Sequence, residues 1–457
     1  MQRRDFLKAG AVGAGGLLVS SSIWNRVLGA PANDAPYGAS SFGALGPADQ
    51  AGLQLPDGFV GREIARANTP VRGANGLPVG APGYVFPVFP DGAHAFEAAG
   101  GGWILVINSE NPPGADFPFL EDVQDQFGGA SAIHFNDDGD VVDAYRVLSG
   151  TRTNCGGGPT PWGTWLSGEE FDETEHVPGN APSPLKQNPG EAGRIWECDP
   201  TGMAPAEPRD ALGHFKHEAA AFDDLGRVYL TEDTGDGCLY RFTPSANPGF
   251  PGSLNAGTLE ALKVTGTAAS WVDPIDPLAT TTSTRFQAAE LGATTFDGGE
   301  GCWFAPHGGS NPGGIVYFTT KGDGRVWAHD TAASTIEVVY PGPLVNLNNP
   351  ALDGVDNIIV SPHTGKVYVA EDGGDMEVIV IEDRPDLDGG RYAAPVVRLT
   401  GAQQGLVNQP NPTPVPLESE VTGITLSPDG SRLYFGSQRE FVLGATYEVR
   451  APTGVKF

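Results

Sequence analysis

Residues 217–233 read His217-Glu218-Ala219-Ala220-Ala221-Phe222-Asp223-Asp224-Leu225-Gly226-Arg227-Val228-Tyr229-Leu230-Thr231-Glu232-Asp233. A short apolar run is followed by an Asp-Asp-Leu-Gly turn, a second apolar run and an acidic pair. Two strand-sized runs around an Asp/Gly turn predict a β-hairpin. In an antiparallel hairpin, the residue just before the first strand and the residue just after the second lie at the same end. Glu218 and Glu232 therefore share one end of this hairpin.

The same pattern returns four times. Asn154-Cys155 precedes a run that ends in Glu169-Glu170; Glu300-Gly301-Cys302 precedes one that ends at Thr320; Asp356-Asn357 precedes one that ends in Glu371-Asp372; and Glu420-Val421 precedes one that ends at Gln438. Hairpin units at intervals of about 50–70 residues predict an all-β fold, a β-propeller of about six blades. The innermost strands of a propeller surround a channel. The pattern therefore places Cys155, Glu169, Glu218, Glu232, Glu300, Asp356, Glu371 and Glu420 around one mouth. A β-sandwich or a two-domain β protein is the alternative, and it leaves the acids at the hairpin ends unexplained. The irregular stretches 171–215 and 243–290 read as excursions from one domain that spans 33–457.

The composition agrees. Of 457 residues, 65 are Gly and 40 are Pro, interspersed with apolar runs, which predicts many turns rather than low complexity. At 39% hydrophobic the chain can bury a core. A net charge of −29 excludes sequence-independent nucleic-acid binding and suits cations. The first 32 residues read as a twin-arginine (Tat) signal peptide: Arg3-Arg4-Asp5-Phe6-Leu7-Lys8, an apolar Gly-rich stretch to Ile23, and Ala30-Pro31-Ala32 as a cleavage pattern. The expected location is periplasmic or secreted, with the Tat translocase as partner during export and no membrane span afterwards. Cleavage would leave a mature chain near −32. Outside the cytoplasm, the four cysteines Cys155, Cys198, Cys238 and Cys302 would by default form two disulfides.

Carboxylates crowded in a channel mouth raise one another's pKa unless cations neutralise them. Calcium takes six to eight oxygen ligands, and a thiolate such as that of Cys155 favours iron or zinc beside it. His217 is a candidate ligand beside Glu218, and Trp162, Trp165 and Trp303 read as packing. Asp223-Asp224 and Asp429-Gly430 read as ordinary turns. Gly156-Gly157-Gly158 would let a ligand approach the backbone. The chain has no Gly-x-Ser-x-Gly elbow, no His-Glu-x-x-His and no Walker loop.

The runs Asn154 to Glu170, Lys216-His217-Glu218-Ala219, Thr231-Glu232-Asp233, Leu239-Tyr240-Arg241-Phe242, Glu300-Gly301 and Glu420-Val421-Thr422-Gly423 resemble the PhoX family of exported alkaline phosphatases. The resemblance implies a propeller phosphatase that hydrolyses small-molecule phosphate monoesters with Fe3+ and Ca2+ at the mouth. It implies Cys155 as an iron ligand, with Glu232 and Glu300 as the carboxylates that complete the catalytic set. Glu169, Glu170, Glu218, Asp356, Glu371 and Asp372 would be calcium ligands. A metal-bound Cys155 would allow at most one disulfide. Phosphatases of this family usually carry an arginine two residues before the Glu-Gly. Here Gly298 holds that position, and Lys321 and Arg325 are the basic residues that folding could bring near. Two other functions fit the acids: a calcium-dependent lactonase or esterase, which does not need Cys155, and a calcium-binding propeller without phosphatase activity that binds a partner in the cell envelope.

Overall fold

The computed structural model describes residues 39–111, 128–171, 193–309, 312–341, 352, 354–383, 391–400, 419–439 and 443–457. The expected signal peptide lies outside the described residues. Among them no helix is long and apolar enough to cross a membrane.

The described chain is a succession of antiparallel meanders. The first runs through Pro90–Glu97, Trp103–Ser109, Gly128–Phe135 and Val141–Thr151; the second through Asn154–Pro159, Trp165–Glu169, Ile195–Cys198 and Glu207–Pro208. The third begins with His217–Phe222 and Val228–Glu232, and the fourth with Gly299–Pro306 and Gly314–Thr320. These two belong to one nine-stranded sheet, joined on their outer edges by a single pair, Ala268 with Thr335. The fifth begins with Val355–Val360 and Val367–Glu371, the sixth with Val421–Leu426 and Arg432–Ser437.

The first strands of the meanders touch one another in chain order, and that of the sixth touches that of the first. They form a closed ring, which is a β-propeller. The ring is closed by the early chain, because Val60–Arg66 pairs with Ala445–Arg450 as the outer strand of the sixth meander. Leu53–Gln54 adds to the edge of the fifth.

Apolar side chains fill each interface. Ile104, Val106 and Trp165 lie between the first and second meanders; Leu166, Leu230 and Tyr240 between the second and third; Tyr229, Phe296 and Phe318 between the third and fourth. Val326, Val369 and Ile379 follow, then Tyr368, Phe435 and Tyr447, and finally Leu105, Phe135 and Tyr434 between the sixth and first. Each such side chain contributes about 1.5–3 kcal/mol when fully buried. Inner sheets therefore bury both faces, and every residue of Trp103–Ser109 and Val421–Leu426 is buried. A two-layer sandwich would bury one face and leave the strands alternating, so that alternative is set aside.

Three sequence expectations change. Of the stretch 171–215, the described residues hold the strands Ile195–Cys198 and Glu207–Pro208, which complete the second meander rather than leaving it. The stretch 243–290 holds the strands Gly257–Thr265 and Ala268–Trp271 and the helix Thr284–Glu290, so it completes the third meander rather than leaving it. Its strand is half-exposed at the rim, which dilutes the apolar signal. The hairpin Pro90–Ser109 is a further unit of the repeat.

Candidate metal centre

The six inner hairpins share one irregularity. In each, the pairing register shifts near the start of the inner strand: after the first pair in five of them, as between Pro90 and Ala93, Asn154 and Gly157, and Gly299 and Cys302, and after the second pair, between Thr422 and Thr425, in the sixth. A β-bulge at a strand end re-aims the side chain beside it. The second residue of each inner strand is, in order, Asp91, Cys155, Glu218, Glu300, Asp356 and Thr422. The residue just after the partner strand is Glu110, Glu170, Asp233, Lys321, Asp372 and Gln438.

Three overlapping groups among these residues bring ligand atoms within 4.8 Å of one another: Asp91, Glu110 and Cys155; Cys155, Glu170 and Glu218; and Glu218, Glu300 and Asp356. All seven side chains are buried, and Glu218 is 0% exposed. Neither carboxylate oxygen of Glu218 accepts a hydrogen bond. Burial, with the charges of Glu300 and Glu170 next, pushes its pKa well above the usual carboxylate range. Burial and the nearby Asp91 and Glu420 do the same to Asp356. The Cys155 thiol is also pushed well up, by burial first and by Asp91, Glu218, Glu110 and Glu170 after it. Such a site is costly without cations. The donor set fits them: oxygen alone at Glu218, Glu300 and Asp356 suits calcium, and a thiolate among carboxylates suits iron.

The backbone under these side chains is clamped from the neighbouring meander. Asn108 donates from Nδ2 to the carbonyls of Cys155 and Gly156 at 2.8 Å each. Its Oδ1 accepts from Trp165 Nε1 and Ser167 Oγ. Thr319 Oγ1 donates to the Asp356 carbonyl at 2.6 Å, and Thr231 Oγ1 donates to that of Glu300. Gln438 Nε2 donates to Asp91 Oδ2 at 2.5 Å and to Glu110 Oε2 at 2.6 Å. These groups hold the ring in place in the way that outer contacts support ligands in metal sites.

Of the residues singled out from sequence, Cys155, Glu170, Glu218, Glu300 and Asp356 thus belong to these groups. Glu169, Glu232 and Glu371 do not join the three groups. Each is the last residue of its strand, and side chains alternate along a strand, so the acid after it faces the mouth instead. Glu169 accepts the N–H groups of Arg152 and Arg194 at 3.2 Å each, and burial pushes its pKa up to about 7. Glu232 accepts from Tyr240 Oη at 2.7 Å and lies 3.5 Å from Arg285. Glu371 accepts from the N–H of Glu377 at 3.1 Å. Asp372 stands at the mouth in the field of Asp356 but outside the groups, and Glu420 pairs with Arg439 at 3.0 Å.

Asp91 and Glu110 were missed, although they occupy the two hairpin-end positions of the overlooked unit. His217 does not reach the groups: its Nε2 meets the Gly213 carbonyl at 2.9 Å, and its ring lies against Phe215. Trp162 and Trp165 pack as expected, with their indoles bonded to Glu197 and Asn108. The three glycines after Cys155 serve packing rather than a ligand: a Cβ on Gly156 would come 2.0 Å from the Glu218 carbonyl oxygen, and one on Gly158 1.7 Å from that of Ala220.

All four cysteines are free and buried, so the default of two disulfides does not hold, while none at all lies within the limit of one that a metal-bound Cys155 implies. Cys155 is on the inner strand, Cys198 on the third strand of the same meander, and Cys238 and Cys302 belong to other meanders. Metal-stripped protein denatured without reductant should therefore titrate four thiols per chain; two or fewer would contradict this arrangement.

A family model for alkaline phosphatase PhoX matches residues 124–440. Among solved structures, Pseudomonas fluorescens PhoX in complex with vanadate, a transition state analogue, is 18% identical, with 90% of this chain and 98% of that one covered and a TM-score of 0.65. A structural genomics protein of unknown function from Bacteroides thetaiotaomicron VPI-5482 (10% identical, 89% and 84% covered) has a TM-score of 0.43, too low to carry an argument. No curated protein matches the chain.

Proposed function

Because the chain belongs to the alkaline phosphatase PhoX family, we propose that it is a metal-dependent phosphomonoesterase, exported by the twin-arginine route to act in the periplasm or beyond. The observation that carries the metal dependence is Glu218, a fully buried carboxylate with neither oxygen hydrogen-bonded and three other acids in its field. Export is supported by the Arg3-Arg4 motif and the Ala30-Pro31-Ala32 site.

Cys155, with Asp91, Glu110, Glu170 and Glu218 around it, would hold iron; Glu218, Glu300 and Asp356 would hold calcium. Such ions supply positive charge for phosphoryl oxygens and acidify water near neutral pH. The chain's own residues supply the rest. Glu218 belongs to both the sulfur-containing and the all-oxygen group, so it fixes their spacing. The clamps from Asn108, Thr231 and Thr319 hold the ring at the start of reaction. The buried walls exclude bulk water from the bases of the carboxylates, which strengthens their hold on any bound charge.

The Pseudomonas fluorescens PhoX structure holds vanadate, and the same anion is the natural probe here. Protein exported in its native host and purified without chelators should contain both iron and calcium. It should hydrolyse p-nitrophenyl phosphate and be inhibited by vanadate. Protein that contains both metals yet leaves phosphate monoesters intact would reject this function. A calcium-only hydrolase has no use for the thiol that two of the three groups share.

A further inference from the structure

Among the strand-end positions around the mouth, Lys321 alone is basic. It follows the second strand of the fourth meander, where the first and second meanders place the metal-group acids Glu110 and Glu170. Its Nζ lies 2.8 Å from Asp233 Oδ2 and also pairs with Glu300 Oε1. The lysine side chain is 15% exposed, against 2% for Glu300, so it is the more accessible member of that pair.

Its position is built into the backbone. The Lys321 N–H donates to the Gly298 carbonyl at 2.9 Å, and the Gly322 N–H to the Asp297 carbonyl at 2.9 Å. Gly298 has φ +70°, and a Cβ there would lie 3.2 Å from Lys321 Cγ and 3.1 Å from Asp233 Oδ1. The glycine leaves the lysine stem its room, and Asp233, outside the three ligand groups, anchors the ammonium.

A phosphate monoester arrives as an anion at a mouth lined with carboxylates. An ammonium held at that mouth by Asp233 gives it a charge-assisted contact that no carboxylate can. We propose that Lys321 is a substrate-binding residue that donates to a non-bridging phosphoryl oxygen while Asp233 holds it in place. This rests on the phosphomonoesterase reading above.

The test uses the full mature chain loaded with iron and calcium. Orthophosphate affinity is measured by calorimetry, p-nitrophenyl phosphate turnover by kcat and KM, and metal per chain by elemental analysis, for wild type, Lys321→Met, Lys321→Gln and Lys321→Arg. The Met variant should bind orthophosphate about 10- to 100-fold more weakly with its metal content unchanged. The Gln variant should fall between, and the Arg variant should recover most of the affinity. The Gln and Arg variants decide the matter should the Met variant fail to fold. If wild type turns over the ester while Met and Gln variants bind orthophosphate as tightly, this inference alone falls. If affinity falls only in step with lost metal, Lys321 is a counter-ion of Glu300 and the inference falls too. A fully metallated wild type that neither binds orthophosphate nor cleaves the ester overturns both readings.

Discussion

A Glu218→Gln protein should lose phosphate-ester turnover, while its metal-free form melts at a higher temperature than metal-free wild type. The two effects have one cause. Glu218 is shared by the sulfur-containing and the all-oxygen groups, so a neutral amide there weakens both. Changes to groups that merely orient ligands cost about 10–100-fold in affinity or activity, and a shared ligand should cost more. Without ions the same carboxylate is a liability, because it is fully buried and accepts no hydrogen bond. Its folded pKa is raised above the unfolded value. A group shifted that way favours the fold fully only below its unfolded pKa, and the contribution fades as pH rises toward the folded value. Glutamine does not titrate. In chelator, the variant's advantage should widen as pH climbs above the ordinary carboxylate range, by up to about 1.4 kcal/mol per pH unit. Melting curves with and without chelator from pH 5 to 8 measure this. A chelated variant that melts below chelated wild type across that range would show that the carboxylate is structurally satisfied.

Cys155→Ser should separate the two kinds of ion. The thiol lies within 4.8 Å of Asp91 and Glu110 on one side and of Glu170 and Glu218 on the other. Serine offers a hard, poorly acidic oxygen in place of a thiolate. The variant should therefore keep calcium at Glu218, Glu300 and Asp356, lose its iron, and lose turnover by about 100-fold or more. Because the metal-free thiol is held protonated by burial and by its acidic neighbours, iron uptake by wild type should release a proton and tighten as pH rises. That proton should be missing in the variant. Elemental analysis and proton release in weak buffer give the readouts. Iron retained with wild-type turnover in the serine protein would remove Cys155 from the centre and favour the calcium-only esterase.

Much of the fold was legible because a β-hairpin is a local object. Strand, turn and strand fall within twenty residues, as in 217–233, and the acids at their ends mark the mouth. The unit Pro90–Ser109 is less legible because its first strand opens Pro90-Asp91-Gly92-Ala93-His94, with no apolar run, and its turn Ala98-Ala99-Gly100-Gly101-Gly102 has no Asp. Of the three acidic doublets, only Glu169-Glu170 supplies a member of the groups. In Glu169-Glu170, the second residue reaches the centre and the first turns to the N–H groups of Arg152 and Arg194. Which of two adjacent acids faces a channel depends on where the strand ends and where the bulge falls, and neither is written in residue type.

Local sequence pattern was enough to establish an all-β chain of repeated hairpins, acidic at one end of each, and to single out Cys155, Glu218, Glu300 and Asp356, which the fold brings into its clustered groups. Those features follow from alternation and turn chemistry over short distances. Only the packed fold decided that the ring closes through Val60–Arg66, that Asp91 and Glu110 join the thiol, that all four cysteines stay free, and that Lys321 pairs with Glu300. Each of these unites residues from separate strands or meanders. Their distances are set by how buried sheet faces pack against one another around the channel, which no local pattern encodes.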